Sequence, residues 1–222
     1  MAFRFEKPPG WAFQAGQFLD MTLLSPPETD AEGDTRSFSI ASAPREDTLM
    51  VATRLRDSAF KRVLMTMPLG AAVTIEGPSG DLTLDKNVHR PAVLLAGGIG
   101  ITPFRSMVVC AAKQKLPQQI FLFYSNRRPE DAPFLDELRA LEKTNPNYKL
   151  IATMTKMEKS HRPWRGETGP LNAEMLATHL RDVVSPVYYI AGPPAMVQGL
   201  HKTIQQTGVA DADNRAEEFA GY

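Results

Sequence analysis

The stretch AVLLAGGIGITPF, Ala92 to Phe104, limits the fold more than any other part of the chain. Its first five residues are apolar without alternation, the pattern of a strand buried on both faces in a parallel sheet. A glycine cluster follows, then Thr-Pro and an apolar helical stripe of Phe104, Met107, Val108 and Ala111. Thr102 reads as the helix N-cap and Pro103 as its first residue, where a missing N–H costs nothing. This order places free amides and the positive helix end at the carboxyl edge of a sheet. An anion gains about 0.3–1 kcal/mol there. The spacing is G-G-x-G, neither G-x-G-x-x-G nor a phosphate loop, so the residues alone fit a tight turn without a ligand equally well.

The unit recurs. QIFLFYS, YKLIATM and VYYIAG read as buried strands, and DAPFLDELRALEK, NAEMLATHL and PAMVQGLHKTIQQ as the helices between and after them. Strand–helix alternation predicts a parallel sheet covered on both faces, with right-handed crossovers. Late in this series YYIAGPPAMV repeats the strand–turn–helix device at Gly192 and Pro193, and two such loops at one sheet edge favour a ligand over turns alone. The charged segment from Thr155 to Gly169 reads as an exposed loop. Before residue 88 the rhythm differs: QFLDMTLL, RSFSIAS, TLMVATRL and AAVTIEG are short β-favouring runs between Pro-, Gly- and acid-rich turns. Close spacing of short strands predicts a small antiparallel β-barrel. The expected division is therefore 1–88 and 89–222.

Composition narrows the classes of function. Lys+Arg and Asp+Glu are both 25 in 222 residues, so no basic excess marks a nucleic-acid binder. The one cysteine, Cys110, cannot form an internal disulfide or supply an iron–sulfur cluster, and reads as a small core residue. No apolar run nears the roughly 18 residues of a membrane span, and the amino terminus lacks a signal-peptide pattern. A soluble cytoplasmic protein without a metal site is expected.

Several ordered motifs resemble the ferredoxin–NADP reductase superfamily over nearly the whole chain. They are AGQF at Ala15–Phe18, RSFSIAS at Arg36–Ser42, GPSGDLTL at Gly77–Leu84, GGIGITP, AGPPAM and the terminal EEFAGY. The resemblance implies a flavin-binding barrel followed by a nicotinamide-nucleotide domain, holding FAD in preference to FMN. It implies that Arg36 meets the flavin diphosphate, for which its donor fork is suited. Ser37 and Phe38 then line the flavin, and Ser39 hydrogen-bonds near the reactive part of the ring. Thr53 and the run Ser58, Ala59, Phe60 and Lys61, where the family starts a short helix, complete the phosphate cradle. In the second domain Gly98, Gly100, Thr102 and Pro103 take the donor's pyrophosphate and nicotinamide path, with Gly192, Pro193 and Met196 opposite. Ser125, Arg127 and Arg128 fall at the adenosine ribose and favour the 2′-phosphate of NADPH, with Asp131 later in the turn and NADH the alternative. Phe219 or Tyr222 covers the flavin face as a gate, with Glu217 or Glu218 a polar or proton-relay group. Ser39, Glu218 and Tyr222 are thus the expected catalytic set.

Two departures from the family's pattern stand out. Ala191 occupies the position before Gly-Pro-Pro where many members carry a cysteine that helps to position nicotinamide. Members also commonly carry a barrel strand before the segment matching MAFRFEKP, so the resemblance implies a barrel short of one strand or a truncated chain. The implied function is electron transfer from NAD(P)H through bound FAD to a separate acceptor, such as a ferredoxin, flavodoxin or oxygenase partner. A free-flavin or ferric reductase and a non-catalytic nucleotide-binding module are the alternatives.

Overall fold

The computed structural model describes residues 1–219. Eleven strands and five α-helices are described. The strands of the amino-terminal part are β1 (Ala2–Glu6), β2 (Phe18–Leu23), β3 (Thr35–Ser39), β4 (Thr48–Ala52) and β5 (Val73–Ser79). β2 pairs antiparallel with β3 and β5, β1 pairs antiparallel with β4, and a bridge between Ile40 and Val51 joins the two sheets. The alternation read from FLDMTL is obeyed: Leu19, Met21 and Leu23 are buried, and their neighbours are half-exposed. They pack with Phe38, Ile40, Leu49, Val51 and Phe60 in one core. Helix α1 (Ala59–Thr66) closes that core with Phe60, Val63 and Leu64.

The carboxyl-terminal part is a six-stranded parallel sheet in the order β11-β10-β6-β7-β8-β9, comprising β6 (Ala92–Gly97), β7 (Ile120–Asn126), β8 (Tyr148–Met154), β9 (Glu167–Thr168), β10 (Val187–Gly192) and β11 (Asn214–Glu218). Its inner strands β6, β7 and β10 are buried on both faces, as the unbroken apolar runs predict, whereas the edge strands β9 and β11 are more exposed. Leu94 and Ala96 of β6 join the core beneath α2 (Ile101–Gln114) and α3 (Leu135–Leu141). Val93 and Leu95 join the opposite core with α4 (Ala173–His179) and α5 (Pro194–Gln205). Each large side chain removed from water contributes about 1.5–3 kcal/mol. The chain runs outward from β6 through β9 and returns to β10 on the other side of β6. That reversal opens a crevice at the carboxyl ends of β6 and β10, where ligands of open α/β sheets bind.

Three expectations need correction. Thr102 is not the N-cap: a 3-10 turn over Gly98–Gly100 runs straight into α2, so Thr102 lies inside the helix and its hydroxyl donates to Ile99 O at 3.1 Å. The segment 155–169 is more than a loop, because Glu167–Thr168 adds an edge strand to β8, and Trp164 donates to Glu167 O under the Arg139 guanidinium. The terminal segment up to Glu218 forms a parallel edge strand on β10. Cys110 is half-buried rather than in the core, and its Sγ accepts from Gln114 at 3.1 Å. No helix among the described residues is long and apolar enough to cross a membrane.

Candidate cofactor cleft

The two glycine turns of the sequence meet face to face. A Cβ on Gly100 would collide with the Ala191 carbonyl and come within 2.7 Å of Gly192 N. One on Gly192 would lie 3.1 Å from Gly97 Cα and 2.8 Å from Met196 Cε. Missing side chains therefore let the β6 and β10 loops touch backbone to backbone, with Pro193 and Met196 closing over Gly97. Gly98 adopts a left-handed φ of 57°, and a Cβ there would come within 2.7 Å of Arg54 Nη2. The flexible turn thus holds the other loop and an arginine of the antiparallel part against its backbone.

A cleft of about 310 Å³ opens beside this junction. Of the residues named from sequence, Arg36, Ser37, Phe38, Ser39, Thr53, Ser58, Lys61, Thr102 and Phe219 line it, joined by Glu32, Ala52, Arg54, Arg56, Asp57 and Ile99. Ala59 and Phe60 are buried in α1 behind the wall, where Phe60 packs on Phe38 with ring centroids 5.8 Å apart. Ser39 is 4% exposed, and its hydroxyl has no hydrogen-bond partner among the described residues, an expensive state for a buried polar atom. At the other wall Ser58 caps α1, its Oγ accepting from Lys61 N at 3.3 Å. Burial, then the nearby Arg56 and Arg36 charges, lower the Lys61 ammonium from its ordinary value. An unsatisfied hydroxyl at one place and clustered cations with a helix start at another fit a flavin dinucleotide, which carries ring acceptors and a diphosphate.

Arg36 sits differently from its expected role. Its guanidinium donates to Asp30 at 2.9 Å and to the carbonyls of Glu32, Gly33 and Thr35, pairs with Glu32 at 3.0 Å, and lies over the Phe60 ring. Asp30 in turn accepts from Ala59 N at 3.0 Å, tying the loop to α1. Arg36 thus shapes the cleft with its charge already matched. Arg54, which the sequence reading did not single out, makes no side-chain hydrogen bond or ion pair among the described residues. It lines both this cleft and an adjoining one of about 570 Å³ that reaches Glu130, Asp131 and Phe134. Of the four cations in residues 53–64 the resemblance pointed to Lys61 alone, since no periodic signal distinguishes Arg54 from its neighbours.

The remaining named residues lie around the crevice. Ser125 is half-buried near the end of β7, and Arg127 is exposed just beyond it. Arg128 is engaged with Asp131 at 2.7 and 2.8 Å, which leaves Arg127 to face solvent. Pro103 is buried in α2. The Glu218 side chain is exposed and accepts from Gln198 at 3.1 Å. Phe219 donates its amide to Gly192 O at 3.0 Å, so the cleft's aromatic wall is anchored to the β10 turn. Tyr222 lies outside the described residues.

Glu217 faces the connector before β6. Burial first, and then the Asp81 charge, push its carboxyl from 4.5 up to about 7. A folded-state value above the unfolded one means that the native state holds the proton more tightly, so stability falls as pH rises from about 4.5 to 7. Glu217→Gln is expected to flatten this slope and to raise stability at pH 8 by about 1–2 kcal/mol. Urea unfolding at pH 5 and pH 8 measures it, and an unchanged difference between the two pH values counts against it.

Residues 94–202 match the family model of the oxidoreductase NAD-binding domain. The chain is 28% identical over 210 residues to terephthalate 1,2-dioxygenase reductase component 2 of Comamonas sp., covering 94% of this chain and 60% of that one. It is 29% identical over 198 residues to ferredoxin–NADP reductase B of Sorangium cellulosum, covering 86% and 75%. The crystal structure of a Neisseria gonorrhoeae ferredoxin NADP+ reductase with bound FAD and NADP superposes with a TM-score of 0.77 at 22% identity, covering all of this chain and 92% of that one. The chain thus spans about 60% of the length of the oxygenase reductase components it matches.

Proposed function

The chain belongs to the ferredoxin–NADP reductase superfamily, and from that premise we propose that it is an NAD(P)H-dependent flavoprotein reductase passing electrons to a separate protein acceptor. The observation that carries the reading is the cleft itself: a buried Ser39 hydroxyl without a partner among the described residues and a row of cations line one cleft beside the topological switch point of a parallel sheet. In this reading residues 1–88 hold the flavin and residues 89–222 the donor, in the cytoplasm.

A bound FAD supplies the hydride acceptance and single-electron release that no amino-acid side chain offers. The chain's own residues bind and orient. Ser39 gives its unsatisfied hydroxyl to the ring end, with Ser37 and Phe38 along the same wall. Arg54, Arg56, Lys61 and the Ser58-capped start of α1 hold the diphosphate, and Thr53 lines the floor between. Arg36 neutralises Asp30 and Glu32 of the acidic loop that borders the cleft. Gly98, Gly100, Thr102 and the Gly192–Pro193–Met196 turn form the donor's path, and Phe219 excludes water from it. Glu218 and Tyr222 complete the proposed catalytic set.

In this reading Arg127, exposed just beyond β7, and Ser125 meet the 2′-phosphate of NADPH. Arg127→Asp is expected to move the ratio of kcat/KM values from NADPH toward NADH by about tenfold or more, the scale of one lost charge-assisted pair. An unaltered ratio removes Arg127 from the ribose-phosphate site.

The test is a visible absorption spectrum of FAD-supplemented, desalted protein before and after anaerobic NADPH. Flavin bands that bleach on addition support the reading, and bands that persist count against a nicotinamide donor. A second reading, in which flavin is an exchangeable substrate, is favoured by the matched charge of Arg36, and it expects a colourless desalted protein that still reduces added flavin.

A further inference from the structure

Three consecutive residues of α2 meet the antiparallel part. Arg105 is 4% exposed, and all five N–H groups of its guanidinium have acceptors. They reach Ala41 O at 2.7 Å, Glu46 at 3.0 and 3.4 Å, and Glu137 at 2.8 and 2.5 Å. The Phe134 ring lies 5.1 Å away and covers it. Ser106 donates to Ser42 O at 2.7 Å, and Met107 Cε reaches the space left by Gly16. Glu46 also accepts from Ala43 N at 2.6 Å, so one carboxylate joins the Arg105 fork to the backbone after β3.

The placement of these contacts matters more than their number. Ala41 and Ser42 lie two and three residues after Ser39 along the chain, and Thr102 lies one helical turn before Arg105 and Ser106. Ser39 and Thr102 line the same cleft from opposite parts of the molecule. One turn of α2 therefore connects the wall that carries Thr102 to the strand that carries Ser39. Arg105 supplies the planar fork that two carboxylates and a carbonyl require, a geometry that lysine's point charge does not reproduce.

We propose that Arg105 is a positioning residue: it fixes the strand after Ser39 against α2 and so sets the separation between the two walls of the cleft. This rests on the reading of the cleft as the place where donor and flavin meet, since hydride transfer is steeply sensitive to a misplacement of about 1 Å. Arg105 itself is buried behind the wall, touches neither reactant and takes no proton.

The experiment uses full-length, FAD-supplemented protein in a Cys110→Ser background with spin labels at Leu69→Cys and Val184→Cys, two exposed sites in opposite parts. It compares the parent with Arg105→Lys. It also includes the combined variant Arg105→Met/Glu46→Gln/Glu137→Gln, which removes the charges together and leaves no buried carboxylate unpaired. The label-to-label distance distribution is expected to be narrow in the parent and broader in both variants. Flavin reduction by NADPH is expected to slow by about 10- to 100-fold, with a larger isotope effect from donor deuterated at C4 and little change in FAD or donor affinity. Distances as narrow as the parent's in both variants overturn the proposal. So does a loss of FAD affinity with an unchanged reduction rate in the loaded fraction, which marks a merely structural role. Broader distances in a protein whose parent flavin NADPH does not reduce uphold the positioning role and overturn the donor reading instead.

Discussion

Gly100→Ala is expected to destabilise the protein by about 2–3 kcal/mol, against the direction that helix propensity predicts. Gly100 already has right-handed helical dihedrals, φ −58° and ψ −1°, so its conformation suits any residue. Alanine at a helix start normally gains over glycine. The penalty comes from contact: the new methyl would occupy the position of the Ala191 carbonyl, and Gly192 N lies 2.7 Å away. Those atoms are backbone of a strand paired on both sides, by β6 and β11, and cannot swing aside as a side-chain tip does. Relief requires the two loops to separate, which also opens the crevice. Gly199→Ala is the control, since nothing among the described residues lies within 4 Å of its Cβ position in α5, and a gain of about 0.5–1 kcal/mol is expected there. Urea midpoints at constant slope measure both. A Gly100→Ala protein as stable as the parent means that the loops do not touch in solution.

Reversing the charge of Arg54 has the largest expected effect on binding. Arg54 lies against Gly98, lines both adjoining clefts and has no carboxylate partner among the described residues. Replacing a cation that meets a diphosphate removes a charge-assisted hydrogen bond of about 1.5–3 kcal/mol and adds repulsion. Arg54→Glu is therefore expected to weaken dinucleotide binding by about 100-fold or more. Arg54→Lys, which keeps charge but not the fork, is expected to lose less. Titration of FAD and of NADPH separately shows which dinucleotide Arg54 serves, and equal affinities in parent and Arg54→Glu remove it from the site. Arg36→Ala is a weaker lever on charge because Arg36 already faces Asp30 and Glu32.

How much of this was legible before folding depended on whether the signal was local. Period-two alternation in FLDMTL and unbroken apolar runs in AVLLAG and IFLFYSN are properties of neighbouring residues, and they gave the two kinds of sheet their right places. Glycine turns at Gly97–Gly100 and Gly192 were likewise visible, whereas the cap that Ser58 forms on α1 came only from the structure. NRAEE carries no apolar period, and its conversion into strand β11 depends on the exposed edge that β10 offers. ET at Glu167–Thr168 is too short for any pattern and pairs only because β8 presents an edge.

Charges carry no periodic signature, and their roles were decided by tertiary structure. The Arg105 fork meets Glu137, Glu46 and Ala41 across 32, 59 and 64 positions of sequence. Nothing near residue 105 announces these partners. Arg36 was named for a diphosphate because its motif is local, whereas Asp30 reaches it through the fold of an intervening loop. The sequence by itself determined the order of strands and helices, the core faces and the turns that must be glycine, since these follow from backbone geometry and hydrophobic burial at short range. Only the tertiary structure decided which cations are matched, which stay free to meet a ligand and how the two halves are held, because a few ångströms between distant loops govern electrostatics and hydrogen bonding.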